Sequence, residues 1–257
     1  MYKIHKIKGH IQFIYLIEYT DKILLMDCAT RADLAQIKNF VENKLQRKMQ
    51  DIKLAVVSHM HPDHAGLAKT LQNKYKIPLL AHPAATKWYS GFGGNLQHII
   101  DVFLAWYVSI KQKNPPRRMW YSSKFKIDYL AKHGEKLPFF NDWQIIYTSG
   151  HTSHDISLYH QQTQIIYLGD VLLKIKNKYV LPMPVTIPDK MKKSLLELSQ
   201  MKIKTVLLAH GGITQIENTQ IFFKGVINSL DKQNQKMPAF IRRVSFFSPC
   251  IKNIENC

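Results

Sequence analysis

The 257 residues predict an α/β fold, a four-layer αββα sandwich carrying a helical insertion, and three observations lead there. The hydrophobic period switches between two and three-to-four residues, so strands and amphipathic helices succeed one another. The strands fall in two batches, each with its own helices, as two sheets packed face to face under helical layers require. Between the batches, residues 83–140 lose the rhythm. Residues 1–257 are therefore expected to form one domain, with the helical insertion at about 83–140 and a helical tail at about 214–257.

Residues 11–19 and 22–27 alternate or run apolar on either side of Tyr19-Thr20-Asp21-Lys22, which predicts a hairpin leading into a sheet. Leu34, Ile37, Phe40, Val41, Leu45 and Met49 then recur at helical steps, with Lys38, Glu42, Lys44 and Arg47 on the other face. Leu54 to Val57 is a short apolar strand and His59 to His64 a polar loop. Leu67, Leu71 and Tyr75 mark a second helix before a strand over 77–81. In the insertion, Gly91, Gly93 and Gly94 precede the apolar run Ile99 to Ile110, and Asn114-Pro115-Pro116-Arg117-Arg118 follows. Strands are expected at 143–148, 157–160, 164–168 and 179–181, then a helix over 189–201, a strand over 203–208 and the tail helix from about Thr214. Ile216, Phe222, Phe223, Val226, Ile227 and Leu230 form a stripe on that tail that either completes the core or makes a dimer face, and periodicity does not distinguish the two.

Composition narrows the class. With 46% apolar and 21% charged residues the chain can bury a core, which excludes disorder and fibres. Cys28, Cys250 and Cys257 are odd in number and lack metal-ligand spacing, so reduced thiols and a cytoplasmic location are expected. The lysines ahead of the first apolar run invite a signal-peptide reading, but Glu18 and Asp21 interrupt the run and no small-residue cleavage site follows. The run Ile99 to Ile110 contains Asp101 and falls short of the roughly 20 residues that span a bilayer, so no transmembrane segment is expected. The net charge of +18 favours anionic partners or reflects a generally basic surface.

The densest chemistry is His59-Met60-His61-Pro62-Asp63-His64, three imidazoles and a carboxylate in six residues between a strand and a helix. Extended residues two apart point the same way, so His59 and His61 can grip one ion, while Asp63 and His64, turned by the helix start, can reach a second. The competing reading makes Asp63 a helix cap among solvated histidines; the density of ligand types argues against it. Three further turns stand in order after expected strands: Gly150-His151-Thr152, Gly169-Asp170 and Ala209-His210-Gly211. Together with the first cluster they resemble the ligand set of the metallo-β-lactamase fold superfamily of hydrolases, over roughly residues 11–214 outside the insertion.

The resemblance implies that family's αββα sandwich and a metal-dependent hydrolase. It puts His59, His61 and His151 on a first ion and Asp63, His64 and His210 on a second, with Asp170 bridging, and makes Asp63 and Asp170 the catalytic carboxylates. It implies two divalent ions, Zn(II) by default, with Fe or Mn also compatible with a nitrogen and oxygen donor set that lacks thiolate. A hydroxide bridging the two ions would be the nucleophile, so no Ser or Cys nucleophile is needed. Around this set, His154 and Asp155 are expected either to touch substrate or to support the ligand turn. His82 reads as a structural loop histidine and Cys28 as a small packed residue. Phe103, Trp106 and Tyr107 read as core or, because they lie in the insertion, as a substrate cap.

Within the superfamily, an Asp at the bridging position and the lack of a secretory signal argue against an antibiotic-degrading β-lactamase. Leu173 stands where the lactonases carry a Tyr, and Val171-Leu172-Leu173-Lys174 departs from the Gly- and Arg-containing segment of glyoxalase II. The expectation is a hydrolase of a small-molecule carboxylic ester, thioester or lactone, with residues 95–110 as an apolar lid. The alternative is a phosphodiesterase or nuclease similar to RNase Z, with Lys111, Lys113, Arg117, Arg118 and Lys124 contacting phosphate; a nucleic acid partner is not favoured. A non-enzymatic binding role is disfavoured because every ligand position is filled. A homodimer is left open, as is contact of Ile99 to Ile110 with an anionic membrane.

Overall fold

Two six-stranded sheets face each other in the computed structural model, which describes residues 1–236 and 247–252. The first sheet runs in the order β1 (Tyr2–Lys8), β2 (Phe13–Tyr19), β3 (Ile23–Leu25), β4 (Ile52–Val57), β5 (Leu79–Ala81) and β6 (Tyr129–Leu130). Its first three strands are antiparallel and β3 to β6 are parallel. The second runs in the order β14 (Gly212–Gln215), β13 (Thr205–Leu208), β10 (Ile165–Tyr167), β9 (Ile156–His160), β8 (Phe140–Tyr147) and β7 (Lys136–Leu137), antiparallel except where β10 lies parallel to β13. A separate hairpin joins β11 (Leu173–Ile175) to β12 (Lys178–Val180).

Period-two alternation in buried strands builds the layers, because successive side chains leave opposite faces. Leu24, Met26, Leu54 and Val56 meet Trp143, Ile145, Leu158, Tyr167 and Leu207 in the core between the sheets. Their alternating neighbours Ile23, Leu25, Ala55 and Val57 turn outward, under Ile37 and Val41 and under Leu67 and Leu71. Those last residues belong to α1 (Leu34–Asn39), its continuation over Phe40–Lys44, and the start and body of α3 (Ala68–Tyr75). On the far side, Ile166, Leu168, Val206 and Leu208 pack beneath α5 (Pro188–Ser199) and α6 (Thr219–Lys236). The result is the αββα order expected, and each large aliphatic side chain fully removed from water in it contributes about 1.5–3 kcal/mol.

Several local expectations change. Tyr2–Lys8 is a strand whose lysines, Lys3, Lys6 and Lys8, are exposed, so the early basic residues belong to a sheet edge and the expected hairpin is part of a meander. Residues 83–140 hold the long helix α4 (Gly91–Lys111), but also β6 and β7, which extend one sheet each. The tail begins as β14 rather than as helix, and Ile216, Phe223, Val226 and Leu230 are buried in the core with α5, which decides that stripe against a dimer face. The amphipathic run from Leu34 breaks after Lys44, where Gln46 takes a left-handed backbone, and Met49 starts a separate turn. Cys28 is a buried free thiol and Cys250, in α7 (Pro249–Lys252), is buried as well; Cys257 lies outside the described residues. No helix among the described residues is long and apolar enough to cross a membrane.

β8, β10 and β13 run in one direction, so the turns after them, carrying His151, Asp170 and His210, reach the same edge of the second sheet. β4 delivers His59 to the facing edge of the first. Backbone bonds lock the two edges together there: Ile156 N–H donates to Ser58 O (3.0 Å) and Phe13 N–H to Ala209 O (2.8 Å).

Candidate metal centre

At this shared edge the seven residues expected as ligands converge into two groups that could each hold a metal ion, His59 with His61 and His151, and Asp63 with His64, Asp170 and His210. In the first group, His61 Nδ1 stands 3.1 Å from His59 Nε2 and 2.9 Å from His151 Nε2. The outer nitrogens explain what those inner nitrogens carry. His151 Nδ1 donates to Pro184 O (2.8 Å), His59 Nδ1 stands 3.2 Å from Ser58 Oγ, and His61 Nε2 points at Asp101 Oδ2 (3.6 Å). With the protons outside, three bare lone pairs face one another. That is unfavourable on its own but is what a cation requires, and nitrogens about 2.0–2.1 Å from a tetrahedral ion lie about 3.3 Å apart. Burial pushes the basicity of all three imidazoles down, His61 to about 4, so they are neutral donors at physiological pH.

The second group is charged. His210 Nε2 lies 3.0 Å from Asp63 Oδ2 and 3.5 Å from Asp170 Oδ1, and His64 Nε2 lies 3.5 and 3.3 Å from the same oxygens. Burial opposes every charge here. Against it, Asp170, Asp63 and Asp27 hold His64 well above the usual imidazole value, and Asp170 and Asp63 raise His210. His64 and His210 in turn hold both Asp63 and Asp170 below the ordinary carboxylate range. The other oxygen of Asp170, Oδ2, lies 3.9 Å from His151 Nε2, so this carboxylate spans the two groups.

Local sequence makes the ligand turns possible. Pro62 opens the short helix α2 (Pro62–Ala65), where its missing N–H costs nothing, and this turn swings Asp63 and His64 away from His59 and His61. Gly150 has φ +153°, and a Cβ there would meet the Met191 backbone at 2.5 Å, so only glycine lets the His151 turn pass under α5. Gly211, after His210, has φ +148° and is crowded in the same way by Lys174.

The supporting residues were mostly invisible beforehand. Asp27, two residues beyond the end of β3, accepts from His64 Nδ1 (2.6 Å), Ser58 Oγ (2.6 Å), Ser58 N–H (2.9 Å) and Tyr167 OH (2.6 Å). Its one sequence signal is an acid closing an apolar run. Gln12 donates to Asp63 O and Tyr121 to Met60 O, both over long sequence distances. Asp101 is buried inside α4, accepting from Tyr89 OH (2.7 Å) and Gln97 Nε2 (2.8 Å), and burial pushes its carboxyl up to about 7.

Of the weaker expectations, Asp155 proves to be a turn support. It accepts from Gly150 N–H (3.1 Å), Thr152 N–H (2.6 Å) and Thr152 Oγ1 (2.7 Å), and burial raises it to about 6. His154 is buried against Trp88 and accepts from Met60 N–H (3.0 Å), and neither residue lines the cavity over the centre. His82 accepts from Ala84 N–H (3.0 Å), the structural role expected, and Cys28 is packed with its Sγ 3.4 Å from Val56 O. Phe103, Trp106 and Tyr107 are neither core nor cap: they are exposed and line no part of the cavity over the centre.

The fold and the ligand constellation agree with known proteins. The family model described as "Metallo-beta-lactamase superfamily" matches residues 7–210. This chain belongs to the metallo-β-lactamase superfamily. Among curated proteins, the probable metallo-hydrolase YflN of Bacillus subtilis (strain 168) is 21% identical over 216 residues, covering 79% of this chain and 80% of that protein. Among solved structures, a metallo-beta-lactamase family protein of Thermus thermophilus superposes with a TM-score of 0.69 at 17% identity, covering 100% of this chain and 93% of the other. An archaeal superfamily protein of Sulfolobus tokodaii gives 0.63 at 17% identity, over 99% and 98%. Superfamily membership makes this chain a metallo-hydrolase, and its two donor clusters could hold divalent metal.

Proposed function

We propose that this metallo-hydrolase cleaves a carboxylic ester, thioester or lactone that carries an apolar acyl part. The observation that carries the reading is the cavity above the centre, about 730 Å³, with His61, Asp63, Asp170 and His210 at its floor and Ile11, Leu104, Ala105, Val108, Leu173 and Met183 on its walls. Such walls desolvate an acyl chain and leave its carbonyl at the donor clusters. Lys8, Lys111, Lys174 and Lys176 also line it and favour a substrate with negative charge away from the acyl end.

In this reading His59, His61 and His151 would hold one divalent ion and Asp63, His64, His210 and Asp170 a second, Zn(II) by donor chemistry. When bound they supply a nucleophile from water at neutral pH and positive charge where the transition state develops negative charge. The protein's own part is to fix the donors. Asp27 keeps the proton of His64 on Nδ1, Pro184 O does the same for His151, and the turns at Gly150 and Gly211 set the reach of His151 and His210. Asp63 and Asp170 are the carboxylates on which catalysis depends.

The phosphodiesterase reading has less support. Of its phosphate patch only Lys111 lines the cavity, and Arg117 is turned to Ala32 O (3.3 Å). The test is hydrolysis of p-nitrophenyl esters of short and long acyl chains beside bis(p-nitrophenyl) phosphate, with the metal-loaded protein and its Asp170→Ala variant. Faster turnover of carboxyl esters, lost in Asp170→Ala, is the expected result, and Val108→Trp should penalise the long chain selectively. Faster Asp170-dependent turnover of the phosphodiester overturns the proposal.

A further inference from the structure

The long helix α4 is amphipathic in the wrong sense for a helix packed on a protein core. Its buried stripe, Gly94, Gln97, His98, Asp101, Ala105 and Ser109, is largely polar. Those groups are engaged away from water: Gln97 with Asp101 (2.8 Å), Ser109 with His10 (2.8 Å), and His98 in tilted or edge-on ring contact with Tyr89, Trp120 and Tyr121. Its outward side is apolar, with Phe103 64% exposed, Tyr107 54%, Ile110 49% and Trp106 45%. A soluble protein's helix ordinarily turns those faces the other way, and a contiguous exposed apolar patch marks a contact surface.

We propose that the outer face of α4 is a docking surface for an anionic lipid membrane, lying in the plane of the interface rather than crossing it. Charge selects this occupant. Across residues 91–118 the one acid is the buried Asp101, while Lys111, Lys113, Arg117 and Arg118 follow the apolar face and are exposed. Aromatic and aliphatic side chains entering the headgroup boundary beside a cluster of cations is the combination that holds peripheral helices on anionic bilayers. A second copy of the chain fits poorly, because pairing α4 with itself would bring those cations and two net charges of +18 together.

The cavity makes the docking useful. Leu104, Val108 and Lys111 of α4 form part of its lining, and Ile175 and Met183, both exposed, line it from the other side of the mouth. A protein seated on α4 therefore turns the mouth of its site toward the lipid, where an amphipathic acyl substrate would reside. The docking itself does not depend on the ester-cleaving reading.

The test is vesicle flotation of the full chain with phosphatidylcholine alone and with phosphatidylcholine mixed with phosphatidylglycerol, at low and high salt. The expected result is binding to the anionic vesicles that weakens with salt, at least about tenfold weaker on neutral vesicles, and reduced about tenfold or more in Phe103→Ser/Trp106→Ser. That variant should keep the wild-type melting temperature and metal content, because both side chains are exposed. Independently of any folding defect in it, a Trp120→Phe protein should show a blue shift of Trp106 emission on anionic vesicles, since Trp88 and Trp143 are already buried. Absence of flotation at low salt, equal binding by the double variant, or self-association in light scattering that Phe103→Ser/Trp106→Ser abolishes would overturn the proposal, the last giving the face to a second copy.

Discussion

Oδ2 of Asp27 stands 2.6 Å from Nδ1 of His64, and the same carboxylate takes hydrogen bonds from Ser58 and Tyr167, so one buried acid from the first sheet ties the metal centre to both sheets. By holding the imidazole proton on Nδ1 it leaves Nε2 bare toward Asp63 and Asp170 once an ion has displaced the second proton. Asp27→Asn should lower divalent-metal affinity about 10–100-fold and cost about 1–3 kcal/mol of stability, as read by chelator competition and urea unfolding. Unchanged metal affinity would show that His64 is oriented by its ring packing alone.

Asp101 of α4 faces the outer nitrogen of His61 at ion-pair distance, without a direct hydrogen bond. Its Oδ2 is 3.6 Å from His61 Nε2, and Tyr89 and Gln97 hold it in place. Because burial pushes the Asp101 carboxyl up to about 7, Asp101→Asn keeps the volume and removes charge mainly above neutral pH, so metal affinity of the three-histidine group in calorimetric titration should weaken by up to about tenfold at pH 8 and change little at pH 6, with little change in melting temperature. Asp101→Leu should lose stability as well, because it leaves the Tyr89 and Gln97 donors buried without an acceptor.

At Gly150, φ is +153° and an added Cβ would sit 2.4–2.7 Å from Met191 atoms that are mostly backbone. Gly150→Ala combines backbone strain with overpacking and should destabilise the chain by about 2–4 kcal/mol. The His151 turn is displaced with it, so metal retention on gel filtration should fall before the protein unfolds.

The two donor groups should respond differently to pH. Burial already keeps His59, His61 and His151 unprotonated at neutral pH, so an ion entering there displaces no proton. His64 and His210 have raised basicity from Asp63 and Asp170 and hold protons that an ion must displace. Affinity of the second group should therefore rise with pH across the neutral range, by up to about a hundredfold per unit if both protons leave, while the first group stays nearly flat. Cobalt(II) absorption titrations at a series of pH values read the two sites separately, and parallel slopes would contradict this assignment.

The convergence of the seven residues of the two donor groups was legible in the linear sequence because each lies in the short segment that follows a strand. His59 and His61 two apart in the bend after β4, Pro62 starting a helix, and glycines beside His151, Asp170 and His210 are all local signals, and the αββα order follows from periodicity within single elements. Tertiary structure decided what acts across long separations. Asp27 reaches Tyr167 over 140 residues and Asp101 of α4 faces His61, 40 residues earlier in the chain, separations at which no spacing rule operates. The same holds for α4, whose apolar run predicts a buried face, yet packing against His10, Tyr89 and Tyr121 makes its polar stripe the inner one. Periodicity identifies that a helix has two faces; only the polarity of what it packs against determines which of them is left for water, lipid or substrate.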